Sequence, residues 1–322
     1  MSRTRKHRWI IFAVAAFVIV AVGLWRLLYR PSPPAEHVAA NRALEWMRTQ
    51  QTEDGSFDSG FGHPAGSTCD AVLALAAVGG DAATWRVASD KPSVVDYLAA
   101  HAAEYAVDVA STGKLVATLV SVGLDPQTFA GTDWIARLQS FASGPGVYDA
   151  GTVGQAWAIL ALAAAGEGVP AQALSVLKSY QLDSGAWESP FGVDNDTVSY
   201  ALQALAAGGE GKDSAAIGKA LAFLQAQQND DGGFPAIKPS EWGTDSNANS
   251  TASVAMALIA VGEDPTAARW SRGQDNPLTA LLRLQASDGR IEFQPGVGNP
   301  LVATAQAIPA LMGKALPLRP GR

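Results

Sequence analysis

The sequence predicts an all-α fold, a ring of about six helical hairpins, and three observations lead there. A short phrase recurs as QTEDGSF (51–57), QLDSGAW (181–187), QNDDGGF (228–234) and QASDGRI (285–291). Alanine- and leucine-rich stretches follow the phrases after polar loops, and six such stretches end on Gly79, Gly123, Gly166, Gly209, Gly262 and Gly313, spaced 44, 43, 43, 53 and 51 residues apart. A period of that length belongs to stacked supersecondary units. Finally, two kinds of helix alternate. One is apolar all round and must be buried; the other keeps charge and glutamine on part of its surface and should lie outside.

Residues 220–270 show the unit most clearly. Leu221 and Leu224 share one face of a first helix, which stops at Asp230-Asp231-Gly232-Gly233, a turn signal. A polar loop leads to Ser250 or Thr251 as the cap of a second helix, TASVAMALIAV, closed by Gly262. The same order gives units at 43–85, 93–130, 134–170, 173–211, 220–270 and 277–314. The second unit lacks the Asp-Gly phrase, so its turn has diverged, and the third shortens it to GPGVY (144–148). Closure into six inner and six outer helices is favoured over an open superhelix. Open arrays carry polar end caps, and none stands out here.

Glutamine, then Asp-Gly, then an aromatic resembles the QW-type repeat of the prenyltransferase/squalene–hopene cyclase superfamily, over about residues 40–316. That resemblance implies an α/α toroid with squalene-oxidase-type repeats. The stretches 243–265, 276–289 and 299–317 look most like bacterial proteins of the intrinsic factor/transcobalamin type, whose vertebrate members bind cobalamin. Together the resemblances imply a small-molecule partner, an isoprenoid or a corrinoid. The repeat phrases themselves read as architecture, with glutamine hydrogen bonds and aromatic packing tying helix ends to turns.

Of the 322 residues, 48% are apolar, enough for one large core, and the net charge is −7. Positive charge gathers near the N-terminus, so the folded part is more acidic still, which argues against nucleic acid as a partner. Arg3, Arg5, Lys6 and Arg8 precede seventeen uncharged residues, WIIFAVAAFVIVAVGLW (9–25). That is the short end for a spanning helix and longer than an ordinary signal-peptide core. The expected organisation is a basic cytoplasmic segment (1–8), a transmembrane signal anchor (9–29), a stiff linker (30–39), the toroid (40–316) and a tail (317–322). Basic residues stay inside, so the toroid is expected outside the cytoplasm at the cell membrane, with cleavage and secretion as the alternative. One cysteine, Cys69, rules out an internal disulfide.

Known chemistries of the superfamily need strings that are missing. A class II cyclase protonates an alkene with D-x-D-D; the nearest string is Asp194-Asn195-Asp196-Thr197, without the last aspartate. The diphosphate-binding D-D-x-x-D is absent. A prenyltransferase zinc site needs Asp, Cys and His; Cys69-Asp70 with His63 offers only a weak version, and Cys69 reads first as a small buried hydrophobe. Glu188, Asp194, Asp196, Glu241 and Asp245 could supply a glycosidase carboxylate pair, or could simply favour helix N-termini. No catalytic residue, metal or cofactor is assigned, and the function expected is a non-catalytic binding or scaffold domain, the alternative being a divergent isoprenoid enzyme.

Inner helices in a ring of hairpins run parallel, so the polar loops before them gather at one end. The candidate ligand-binding residues there are Asp149, Asp194, Asn195, Asp196, Trp242, Asp245, Asn247, Asn249 and Asn299. Each acid or amide among them could equally be a helix cap.

Overall fold

The structure is a computed structural model and describes residues 33–320. From Glu36 onward the chain forms one compact unit; the expected anchor at 9–29 lies outside the described residues. Among the described residues no helix is long and apolar enough to cross a membrane. Outer helices are α1 (Ala35–Arg48), α3 (Val94–Tyr105), α5 (Trp134–Ser140), α7 (Ala171–Ser179), α9 (Ala215–Gln227) and α11 (Pro277–Arg283). Inner helices are α2 (Pro64–Ala77), α4 (Val109–Ser121), α6 (Thr152–Ala165), α8 (Asn195–Ala207), α10 (Ala248–Ala260) and α12 (Pro300–Leu311). Each inner helix packs on the next, and α12 packs on α2, which closes the ring. A two-stranded hairpin, β1 (Glu188–Ser189) with β2 (Gly192–Val193), rises before α8.

Alanine makes the ring possible. Small side chains let inner helices approach closely, and Gly113 takes this furthest: a Cβ there would lie 2.7 Å from the Trp157 carbonyl oxygen of α6. The six closing glycines all adopt positive φ, between 63° and 92°, the left-handed conformation that ends a helix at little cost only in glycine.

A repeated clasp joins neighbouring units. Gln51 Nε2 donates to the carbonyls of Gly55 and Trp85, Gln181 to Gly185 and Ala216, Gln228 to Gly232 and Trp270, and Gln285 to Gly289 and Ala39. Each therefore ties its own turn to the backbone that leads into the next outer helix or lies within it, and Gln285 ties the last unit to the first. Beneath the clasps, Phe57, Trp187, Phe234 and Ile291 are fully buried, worth roughly 1.5–3 kcal/mol apiece. Where the phrase is degraded the clasp is rebuilt from elsewhere. Gln155, one turn inside α6, donates to Gly146 and Ala173 for the third unit, and Arg137 Nε donates to the Ala106 carbonyl for the second.

One cap differs from expectation. Asn247, not Ser250 or Thr251, caps α10, its Oδ1 accepting from the Ser250 N–H at 2.8 Å. The helix starts earlier because an asparagine in extended backbone reaches the third amide, whereas Ser250 and Thr251 are already helical and buried.

Candidate functional site

Five of the six inner helices line a narrow chamber. Asp70 and Leu73 of α2, Trp157 of α6, Tyr200 of α8, Met256 of α10 and Gln306 of α12 line it, and the space left is about 30 Å³. Little free space is left among these side chains. At the end where inner helices finish, residues 314–320 lie across the opening. Leu316 and Leu318 are buried there, the Leu316 N–H donates to Gln203 Oε1 at 2.9 Å, and Arg319 Nη2 reaches the Ala163 carbonyl at 3.3 Å. The opposite end, where the inner helices begin, forms the open mouth.

Most of the sequence-selected residues stand at that mouth as caps. Asp194 caps α8, accepting from the Thr197 N–H at 2.6 Å and its hydroxyl at 2.9 Å. Asn299 caps α12 and reaches across the seam to the Ser59 carbonyl. Asp149 accepts from the Gly151 N–H. Asn195 is buried and donates to the Pro235 carbonyl of the next unit. Asp245 and Trp242 are exposed, Trp242 almost completely at 99%. Asp245 also lines a separate open cleft of about 790 Å³ between the fifth and sixth units, beside Asp231 and Arg283. The mouth therefore does not gather all nine residues around one point.

Asp196 is the exception among the caps. It occupies the second position of α8 and accepts from Ser250 Oγ of α10 at 3.1 Å. Its Oδ1 is out of reach of solvent and has no partner, as are Asn195 Oδ1 and Asn249 Oδ1. Burial, then the neighbouring Asp194 charge, pushes its carboxyl up to about 6, against the opposing hydrogen bonds of Ser253 and Ser250. Thr197 stands where D-x-D-D has its last aspartate, and its hydroxyl is spent on Asp194.

The weak zinc arrangement does not assemble. Cys69 is fully buried and burial pushes its thiol up to about 12, so it is no thiolate. His63 turns instead to Glu104 of α3, with Nε2 at 3.8 Å, while His101 Nδ1 lies 3.0 Å from the same carboxylate. These three form a group of metal-ligand composition. However, His63 Nδ1 accepts the Ala65 N–H at 3.1 Å to cap α2. In the neutral ring Nε2 then carries the proton and points it at Glu104, rather than a lone pair at an ion. The hydrogen bond with His101 is the main reason the Glu104 carboxyl sits below its ordinary value.

Comparison with known proteins agrees with this architecture. The profile of the squalene-hopene cyclase C-terminal domain matches residues 167–300. The type II terpene cyclase MstE from Scytonema superposes with a TM-score of 0.59 at 15% identity, covering 86% of this chain and 97% of that one. Variants of MstE were solved with geranylgeranyl dihydroxybenzoate as substrate and with merosterolic acid A as product. A glycosidase variant in complex with glucose gives a TM-score of 0.57 at 14% identity, covering 86% and 95%. A protein from Actinoplanes gives 0.55 at 16%, covering 86% and 99%. No curated protein matches by sequence. The chain has the α/α-toroid fold of the prenyltransferase/squalene–hopene cyclase superfamily.

Within this toroid the chamber residues were the ones sequence reading passed over. A signal for one of them, Asp70, was present. The inner helices carry only three charges, Asp70, Lys114 and Asp196, and a lone charge on a helix otherwise apolar all round must be paired. Asp70 and Lys114 answer one another across α2 and α4 at 2.7 Å, each side chain less than a fifth exposed. Nothing comparable flags Trp157, Tyr200 or Met256, which look like any core residue until the ring is closed around them.

Proposed function

We propose that the protein is a membrane-anchored, extracytoplasmic toroid that binds at its surface and does no isoprenoid chemistry in its interior. The observation that carries this reading is the filled chamber. A space of about 30 Å³ has room for a water or two, whereas pockets for ligands of drug size run to roughly 300–1,000 Å³. An isoprenoid chain does not fit without displacing Trp157, Tyr200 or the 314–320 tail, and a corrinoid less so. The anchor rests on the uncharged stretch at 9–25 after a basic cluster.

The second reading is a divergent class II cyclase, and one observation favours it: Asp196 stands at the third position of the incomplete D-x-D-D and holds its proton up to about pH 6. Against it, a carboxyl that binds its proton more tightly than usual is a poorer acid toward an alkene, and no third carboxylate adjoins it. Incubating the full chain with squalene, and separately with geranylgeranyl diphosphate and magnesium, decides between the two. No cyclised product is expected. Product that disappears in Asp196→Asn would establish the cyclase and end the binding reading.

A further inference from the structure

Seven large apolar side chains are exposed among the described residues, and five of them stand in the loops just before inner helices: Phe61, Val107, Phe191, Trp242 and Val297. Five of the six mouth loops thus present one each, within five residues of the cap that follows. Phe191 sits at the tip of the β1–β2 hairpin, and both it and Trp242 are 99% exposed. Scattered single exposures are ordinary, but a set gathered on one end of a ring marks an interaction surface.

Charge on the same loops chooses the occupant. Asp58 accompanies Phe61, Asp108 accompanies Val107, Glu188 accompanies Phe191, and Glu241 accompanies Trp242. The segments 57–63, 106–108, 188–194, 240–247 and 294–299 contain no lysine or arginine. The nearby cations are already engaged: Lys238 Nζ on the Gln228 carbonyl and Asn229, Arg283 on Asp275 and the Asp231 carbonyl, Arg290 on Asp288 and Glu292. A second copy presenting the same acidic rim would be repelled, and so would an anionic bilayer. The rim also lies away from where the chain enters the ring. His37, at the start of α1, shares a surface depression with Gly79 and the 314–320 tail, at the opposite end from the mouth.

We infer that the mouth rim is a docking surface for a protein segment that is both cationic and apolar, such as an amphipathic helix with lysine on one face and leucine on the other. Apolar anchors supply the affinity, and the ring of acids supplies orientation and on-rate. The inference rests on the surface-binding reading and names the partner class for it.

The test uses the full chain in phosphatidylcholine nanodiscs and a synthetic amphipathic leucine/lysine helix, with empty nanodiscs as blank and Trp emission as one readout. Binding should weaken with salt. Replacing Phe61, Phe191 and Trp242 together by serine should weaken it by about tenfold or more, with an unchanged melting curve, and there anisotropy of a labelled peptide replaces the Trp signal. Asp58→Asn with Glu188→Gln and Glu241→Gln should flatten the salt dependence. Equal binding by the triple serine variant overturns the proposal. So does equal binding of a scrambled peptide of the same charge, or tighter association with phosphatidylglycerol vesicles than with the helix. Those failures leave the absence of cyclase chemistry standing, while product in the cyclase assay would end the surface-binding reading without moving these binding curves.

Discussion

The belt of clasps and the loops of the mouth are neighbours in sequence but obey different rules. In the belt, Gln228 ends in two carbonyls and Phe234 is fully buried. Eight residues on, Trp242 stands in solvent. All six junctions keep a side-chain N–H on a backbone carbonyl across the junction, even where Gln155 replaces the phrase glutamine or where, with Arg137, the donor comes from the following unit. In the mouth such a bond is made only here and there, by Asn195 to Pro235 and by Asn299 to Ser59, and does not recur around the ring. The mouth loops differ in length and hydrogen bonding; what recurs is an exposed apolar residue in five of the six, with an acid beside it in four. Conserved geometry under changing sequence marks architecture. Common surface chemistry on unlike backbones marks the part available for binding.

The sharpest way to break that contrast is to alter one glycine in each region. Gly289 in the belt and Gly243 in a mouth loop have nearly the same backbone, with φ of 101° and 106°. A Cβ on Gly289 would sit 2.5 Å from the Arg42 carbonyl oxygen at the ring's closing seam, while one on Gly243 meets nothing within 4 Å. Gly289→Ala should cost about 3–5 kcal/mol and Gly243→Ala about 1–2 kcal/mol, since both suffer strain and only the first also overpacks. Urea unfolding of both variants measures the difference. Equal losses would mean that the seam gives way and that the belt is no more rigid than the mouth.

Asp196 sits between the two regions, a helix-end acid with one oxygen unpartnered. Its folded value of about 6 lies above the ordinary 3.8, so folding favours the protonated form. The stabilisation is fully present below about pH 4 and is lost as pH rises through 6. Asp196→Asn keeps the shape and removes the charge, so the variant should match the parent near pH 4 and exceed it above pH 7 by about 3 kcal/mol at most. Melting temperatures of both proteins from pH 4 to 8 test this. A difference that does not vary with pH would show the carboxyl to be solvated, and Asp196 would join the ordinary caps.

How much of this was legible in the sequence follows from where information is local. Helix ends were readable because glycine alone pays little for positive φ, and the phrase QxxDG writes each clasp within five residues. The order of outer and inner helices was readable from charge on one and almost none on the other. Ring closure was inferred from the missing end caps and is now seen in Gln285 meeting Ala39, a contact 246 residues apart. Of the residues proposed for the site, Asp194, Asn247 and Asn299 stand together at the end where the inner helices begin, each as a helix cap. The filling of the chamber was not readable, because it depends on Trp157, Tyr200 and Leu316 meeting from three distant segments. The rim was missed except for Trp242, since a single phenylalanine such as Phe61 or Phe191 looks in sequence like a core residue.

The smallest expected effect bears on the rim itself. Phe191 and Trp242 are 99% exposed, so the folded state removes almost none of their apolar surface from water and folding gains nothing from them. Phe191→Ser and Trp242→Ser should each change stability by no more than about 0.5 kcal/mol. Phe234→Ala, by contrast, empties a fully buried site at the head of the same loop and should cost about 3–5 kcal/mol. Thermal unfolding of the three variants gives the comparison directly. If either rim substitution cost more than about 1 kcal/mol, that side chain would be packed in solution. The rim would then be a folded-over extension of the belt, with no apolar surface left for a partner to cover.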